Sequence, residues 1–289
     1  MAISMAGFTF NDALTKSVTA ELTVAQIMFV RGAFTALLVY VVARRMGALD
    51  HLRNILQPAI LLRILFETIA AVAFLAALGQ LPLANASAIL QSMPLAVTLG
   101  AALFFREPVG WRRWTAIGLG FLGVLIIIQP GPDGFTMASL YIVLCVFTAA
   151  ARDLVTRKID PGISSLTVTL FTAASISVAG LLLVPAFGGW QPVSYSALGT
   201  LAFASIFLFA GYQAIIMAMR IGEISFIAPF RYTSLLWAIL LGLLFFSETP
   251  DVWMIVGSAI VIGSGLYTFY RENKKKAALA RRADPASPG

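Results

Sequence analysis

Ten runs of about 18 to 24 mainly apolar residues follow one another along the chain, at approximately 3–20, 24–43, 58–78, 82–105, 111–128, 137–156, 163–186, 196–219, 224–246 and 252–270. The hydrocarbon core of a bilayer is about 30 Å thick, and about 20 residues of helix cross it. Each run should be helical there, because lipid offers no partner to an unpaired peptide group. The expected fold is therefore all-α and integral to the membrane, with ten transmembrane helices. The first run is the least apolar, since it holds Asn11, Asp12, Thr15 and Lys16.

Composition excludes the other classes. Of the 289 residues 60% are hydrophobic and 11% charged, and the mean hydropathy is +0.90, whereas a soluble domain has about a quarter of its residues charged. Disorder, coiled coil and a soluble enzyme are excluded on that ground. Cys145 is the one cysteine and His51, in a charged loop with Asp50 and Arg53, the one histidine. A disulfide framework, a zinc site and a haem site are not expected from such a set. The start, Met1-Ala2-Ile3-Ser4-Met5, has no basic segment ahead of its apolar run and is not read as a cleaved signal peptide.

Orientation follows from the basic residues, which concentrate in cytoplasmic loops. With a cytoplasmic N-terminus, the inner segments hold Arg44, Arg45, Arg53, Arg106, Arg112, Arg113, Arg157, Lys158, Arg220 and the tail cluster Arg271, Lys274, Lys275, Lys276, Arg281 and Arg282, which is 15 of the 20 basic residues. The outer segments carry Glu21, Asp133, Glu248 and Asp251. Both termini are expected in the cytoplasm. The tail, 271–289, reads as a topology anchor ending in a disordered Pro/Ser stretch, and no nucleic-acid partner is expected.

A shift of 141 residues brings two polar motifs into register. Asp12-x-x-Thr15-Lys16 falls on Asp153-x-x-Thr156-Arg157, and Leu103-Phe104-Phe105-x-Glu107 falls on Leu244-Phe245-Phe246-x-Glu248. The chain divides on this basis into 1–131 and 132–270, five spans each. Five is odd, so the second copy enters the membrane from the opposite side. Inverted repeats of this kind characterise secondary transporters, with the substrate held between the copies.

Ionisable residues inside spans are costly and by default functional. They are Asp12, Lys16, Arg31, Arg63, Glu67, Arg152, Asp153 and Arg231. Asp12 with Lys16, and Asp153 with Arg157, are four apart and can pair along one helix face; they are read as gate elements toward opposite membrane faces. Arg63 and Glu67 share that spacing, and Glu67 could carry a coupling proton. Arg31 could pair with Asp12 or meet substrate. Arg231 follows Pro229 in Ala228-Pro229-Phe230-Arg231-Tyr232, and the fourth span carries Gln91, Ser92 and Pro94. Two proline-broken spans suggest cavity walls, with Arg231, Tyr232, Gln91 and Trp237 contacting substrate and Arg231 holding an anionic group. Glycines 118, 120 and 123 of the fifth span and 257, 263 and 265 of the tenth lie in apolar runs with no strand before them, which favours close helix packing over a dinucleotide site. Trp111, Trp114, Trp190 and Trp253 fall at span ends as an interfacial belt.

Ten spans in two copies, with Leu-Phe-Phe-x-Glu closing the fourth and ninth, resemble the drug/metabolite transporter superfamily, EamA type, over roughly residues 5–270. Asn11-Asp12-x-x-x-Lys16, Phe29-x-Arg31, Leu62-Arg63, Asp153-x-x-x-Arg157 and Ala228-Pro229-Phe230-Arg231-Tyr232 are similar to segments of its S-adenosylmethionine uptake branch, a pattern in which Glu67 has no counterpart. The resemblance implies a carrier with a central cavity and alternating access, and neither cofactor nor catalysis. The expectation is a multi-pass protein of the bacterial inner membrane that moves a small polar metabolite, S-adenosylmethionine or an amino-acid-like solute, with a coupling proton or an antiported solute as further partner. Export of amino acids or drugs is the alternative within the superfamily. A passive channel or a non-transport membrane protein is the alternative outside it.

Overall fold

The apolar runs fold as helices that satisfy their own peptide groups, and among the described residues there is no strand. The structure, a computed structural model, describes residues 1–47, 57–107, 110–129, 136–160, 162–221 and 228–283. His51 with Asp50 and Arg53, Asp133, the last Pro/Ser residues, and the side chains of Arg220, Lys275, Lys276, Arg281 and Arg282 lie outside the described residues.

The helices are α1 (Ala2–Ser17), α2 (Val24–Arg45), α3 (Pro58–Leu78), α4 (Leu83–Leu90), α5 (Met93–Phe104), α6 (Trp111–Ile128), α7 (Met137–Thr156), α8 (Ser165–Leu183), α9 (Tyr195–Ile221), α10 (Thr233–Phe246) and α11 (Val252–Ala283). Nine spans among the described residues are long and apolar enough to cross a membrane, α4 and α5 together forming one. The first expected span is shorter: α1 has 16 residues and stops at Ser17. Its Asn11 and Thr15 are buried within the protein, so its polar side is turned away from lipid. The last helix continues past the expected boundary at 270 as far as Ala283.

Local chemistry explains where helices start and break. Thr23 and Gln26 cap α2 reciprocally, and the Thr136 and Ser164 side chains cap α7 and α8. The fourth span breaks at Gln91 and Ser92 because Pro94, in the first turn of α5, cannot donate to the preceding turn. Pro229 sits in a short 3-10 helix, Ala228–Tyr232, that leads into α10. The ends of α5 and α10 close alike. Arg106 and Ser247 take left-handed backbone angles (φ 52° and 53°). The following amides, of Glu107 and Glu248, donate back to the carbonyls of Ala101 and Gly242 at 3.3 and 3.0 Å. This cap fixes where each glutamate leaves its helix.

In the packing, α2 runs against α8, α3 against α7, α1 against α9, and α6 against α11. The α6–α11 crossing is backbone to backbone: a β-carbon on Gly123 would meet the Gly257 carbonyl oxygen at 2.8 Å, and one on Gly257 would meet that of Gly123 at 2.6 Å. Gly120 and Gly265 are also filled against neighbours, while Gly118 and Gly263 face open space. Gly123→Val should therefore lower stability by about 1–3 kcal/mol through overpacking, read as a lower melting temperature in detergent. Gly118→Ala should leave the melting temperature unchanged.

Candidate functional site

A cavity of about 290 Å³ opens between α1, α2, α3, α7, α8 and α9, with Leu90 and Met93 of the broken fourth span on one side. Its walls carry five charged side chains, Asp12, Arg31, Arg63, Glu67 and Arg152, together with Asn11 and Tyr212. Cys145 also lines it. So many charges among membrane-spanning helices need partners close by.

The partners differ from those that helical spacing suggests. Arg152 donates to Glu67 across the α3–α7 contact at 2.6 Å and to Asp153 beside it at 2.8 Å. Arg63 does not pair with Glu67; its Nη1 donates to Thr156 Oγ1 at 2.6 Å. Asp12 does not pair with Lys16; its Oδ1 accepts from the Asn11 amide at 2.9 Å. Arg31 shares the cavity with Asp12 and donates to Thr15 Oγ1 at 3.4 Å. Arg152, which helical spacing leaves without a role, thus joins α3 to α7. Its signal is nonetheless present: an arginine within an apolar run, one helical turn before Thr156.

Lys16 and Arg157 find their acids in the Leu-Phe-Phe-x-Glu motifs. Lys16 Nζ lies 2.8 Å from Glu248 Oε1, with the two side chains 11% and 19% exposed. It also donates to the Leu81 carbonyl and lies over the Phe246 ring. Glu248 Oε2 accepts from the Leu83 amide at 2.7 Å, holding the start of α4. Arg157 reaches Glu107 at 3.5 Å, with the side chains 56% and 50% exposed. Lys158 stands over Phe105. The two pairs lie at opposite ends of α3: Arg63 near its start touches Thr156, and Gly79 just past its end faces Thr19. With 21 residues, α3 is about 31 Å long.

Four expected substrate contacts lie elsewhere. Gln91, Arg231, Tyr232 and Trp237 are not among the residues lining the cavity. Gln91 is buried and donates to Ser234. The Tyr232 ring packs against Gly265 of α11. The Arg231 carbonyl accepts from Ser234 at 3.1 Å, and the Trp237 ring is tilted against Phe10, centroids 6.3 Å apart. These residues tie the broken spans together and against their neighbours, and the wall expected of them is made by α1, α2, α3 and α7. Trp111, Trp114, Trp190 and Trp253 are exposed, as interfacial residues should be. Among the described residues no group of His, Cys, Asp and Glu could hold a metal ion.

Known proteins share both the sequence pattern and the fold. The model of the EamA-like transporter family matches residues 1–129 and 136–270. A riboflavin transporter of Vibrio cholerae is 32% identical over 217 residues, 74% of this chain and 72% of that protein. An S-adenosylmethionine uptake transporter of Rickettsia bellii is 25% identical over 280 residues, 94% and 92% of the two chains. A solved crystal structure superposes with a TM-score of 0.59 at 16% identity, covering 91% of this chain and 93% of that one, a likeness of fold. On the family match over both halves of the sequence, the chain belongs to the EamA-like transporters of the drug/metabolite transporter superfamily, and is a multi-pass membrane transporter rather than an enzyme.

Proposed function

We propose that the protein is a secondary carrier of a small polar metabolite in the bacterial inner membrane, working by alternating access. In this reading residues 1–131 and 132–270 are five-span units of opposite orientation, with both termini cytoplasmic. The observation that carries it is the pair of ion contacts at the two ends of α3. Lys16 and Arg157 are 141 residues apart, as are Glu248 and Glu107. One pair is short and shielded, the other long and exposed. Equivalent closures in unequal states are what a carrier with one end shut requires. Under the proposed orientation the shut end, at Lys16, is the outer one, and the cavity faces the cytoplasm.

The cavity wall supports the same two-fold relation. Asn11 and Arg152, Arg31 and Thr172, Glu67 and Leu208, and Ala71 and Tyr212 all line it, each pair 141 apart. So does the packing: α3 on α7 and α1 on α9 exchange under the shift, while α2 on α8 and α6 on α11 map onto themselves. Glu67 lines the cavity as well, and its carboxylate is paired there with Arg152.

The relatives' names supply two compounds to try, S-adenosylmethionine and riboflavin. S-adenosylmethionine is the better match to a charged cavity. The expected result in reconstituted vesicles is saturable uptake of labelled S-adenosylmethionine that is accelerated by unlabelled compound inside. Uptake that rises linearly with concentration and is accompanied by conductance would instead indicate a channel.

A further inference from the structure

Beside the α6–α11 contact, and apart from the central cavity, lies an open groove of about 550 Å³. Small side chains make its floor: Thr115, Ala116, Ala259 and Gly263 line it, and a β-carbon on Gly263 would meet nothing. Leu119, Leu122 and Ile260 add apolar walls. From Arg112 to Leu122 α6 rises about 15 Å, which is half the hydrocarbon core of a bilayer. The groove therefore has the depth of one leaflet.

One end of it is basic. Trp111, Arg112 and Tyr267 line that end, and the Arg112 guanidinium stands over the Trp111 ring, 5.3 Å from its centroid. The two helices are antiparallel, with Gly120 against Ser264 and Gly123 against Gly257, a register that sets Arg112 level with positions 268–272. Helical spacing carries the line of Ile260, Gly263 and Tyr267 on to Arg271 and Lys274. Among the described residues, Arg112, Arg271 and Lys274 have no ion pair, while Arg113 is engaged within the protein. The acids at the ends of these helices lie elsewhere or are outnumbered. Glu107 is held by Arg157, and Asp251, at the far end of α11, accepts from Gln129 at 3.1 Å. Glu272 is the one acid in residues 271–283, against six basic residues.

An apolar slot one leaflet deep, with aromatic rings and unpaired cations at its headgroup end, matches a phospholipid of negative charge. A second copy of the chain fits it less well. A two-fold interface is self-complementary, so one built on this groove would set the basic ends of both copies against each other. We infer that the groove binds an anionic phospholipid, one acyl chain along Gly263 and its phosphate at Arg112 and Arg271. The site is separate from the central cavity and independent of which solute the carrier moves.

The test titrates the purified protein in detergent with phosphatidylglycerol or with phosphatidylcholine of the same acyl chains, and native mass spectrometry reads bound lipid and oligomeric state. Phosphatidylglycerol should bind at least tenfold more tightly. Arg112→Gln and Arg271→Gln should each lower its affinity about fivefold and leave that of phosphatidylcholine unchanged. Arg45→Gln, the same loss of charge at the exposed end of α2, should alter neither. Gly263→Leu fills the slot and should weaken both lipids, while the melting temperature without added lipid stays that of the parent. Equal affinity for the two lipids, an Arg45→Gln effect as large as that of Arg112→Gln, or parental binding in Gly263→Leu would each overturn the site. A dimer that persists without lipid and is dissolved by Gly263→Leu would give the groove to a second copy, and would overturn it as well.

Discussion

Arg152→Ala is expected to destabilise the protein by about 3–5 kcal/mol and to abolish transport, because it strands two carboxylates that one guanidinium now serves. Glu67 and Asp153 both contact Arg152, at 2.6 and 2.8 Å, and Glu67 is largely withdrawn from solvent. Removing one member of a buried ionic cluster leaves the others uncompensated, which costs more than the cluster was worth. The same contact ties α3 to α7, together with that of Arg63 to Thr156, so its loss should loosen that interface as well. The measurement is the melting temperature in detergent, followed by counterflow in vesicles. The combination Arg152→Met, Glu67→Gln and Asp153→Asn removes the charges together and should recover much of the stability but none of the transport. An Arg152→Ala protein that melts with the parent would mean the cluster is too hydrated to matter.

Glu248→Gln should have the second large effect, a loss of transport of tenfold or more in a protein that still folds. Glu248 holds Lys16 and the first amide of α4 at once. Glutamine can still accept from that amide but offers Lys16 no charge, so the closure weakens while the turn before it survives. A tenfold change in the balance of two states is about 1.4 kcal/mol, within what one shielded ion pair can supply. Cys145 reports the outcome, being the one cysteine and part of the cavity wall. In sealed vesicles, alkylation of Cys145 by an impermeant maleimide should shift toward the Lys16 side in Glu248→Gln. It should not do so in Glu107→Gln, where the exposed pair is removed instead. Equal labelling patterns in the two variants would show that these pairs do not gate.

Most of the architecture can be read from the sequence, because a bilayer-spanning helix is announced by its own length and apolarity. The first span is harder. Asn11 and Thr15 lower its hydropathy, and they do so because they are buried against protein rather than lipid. The charged partners are misjudged from sequence for a single physical reason. Asp12 with Lys16, Arg63 with Glu67, and Asp153 with Arg157 all satisfy the four-residue rule, but that rule describes an isolated helix in water. In a packed bundle Lys16 takes Glu248 from 232 positions away in sequence, and Glu67 takes Arg152. The 141-residue register holds the hint, since it aligns both basic residues and both glutamates, but register alone does not say which motif faces which. The polar residues of the broken spans mislead in the opposite way: Gln91 and Tyr232 sit where a helix is interrupted, and there they pack against the protein itself.

The α6–α11 crossing bears on how such a molecule could move. At Gly123 and Gly257 the two backbones touch with no side chain between them, and neither helix contributes to the cavity wall. Sliding one past the other would drive β-carbons and carbonyl oxygens of adjacent turns together, so translation there is blocked while a small rotation is not. One helix comes from each matched segment of the chain. In the proposed carrier a seam of that kind would serve as a fulcrum. Rocking about it would convert a spreading of the helices at one membrane face into an approach at the other, so that the two faces would be coupled by leverage, with no need for a signal passed from residue to residue across the bilayer.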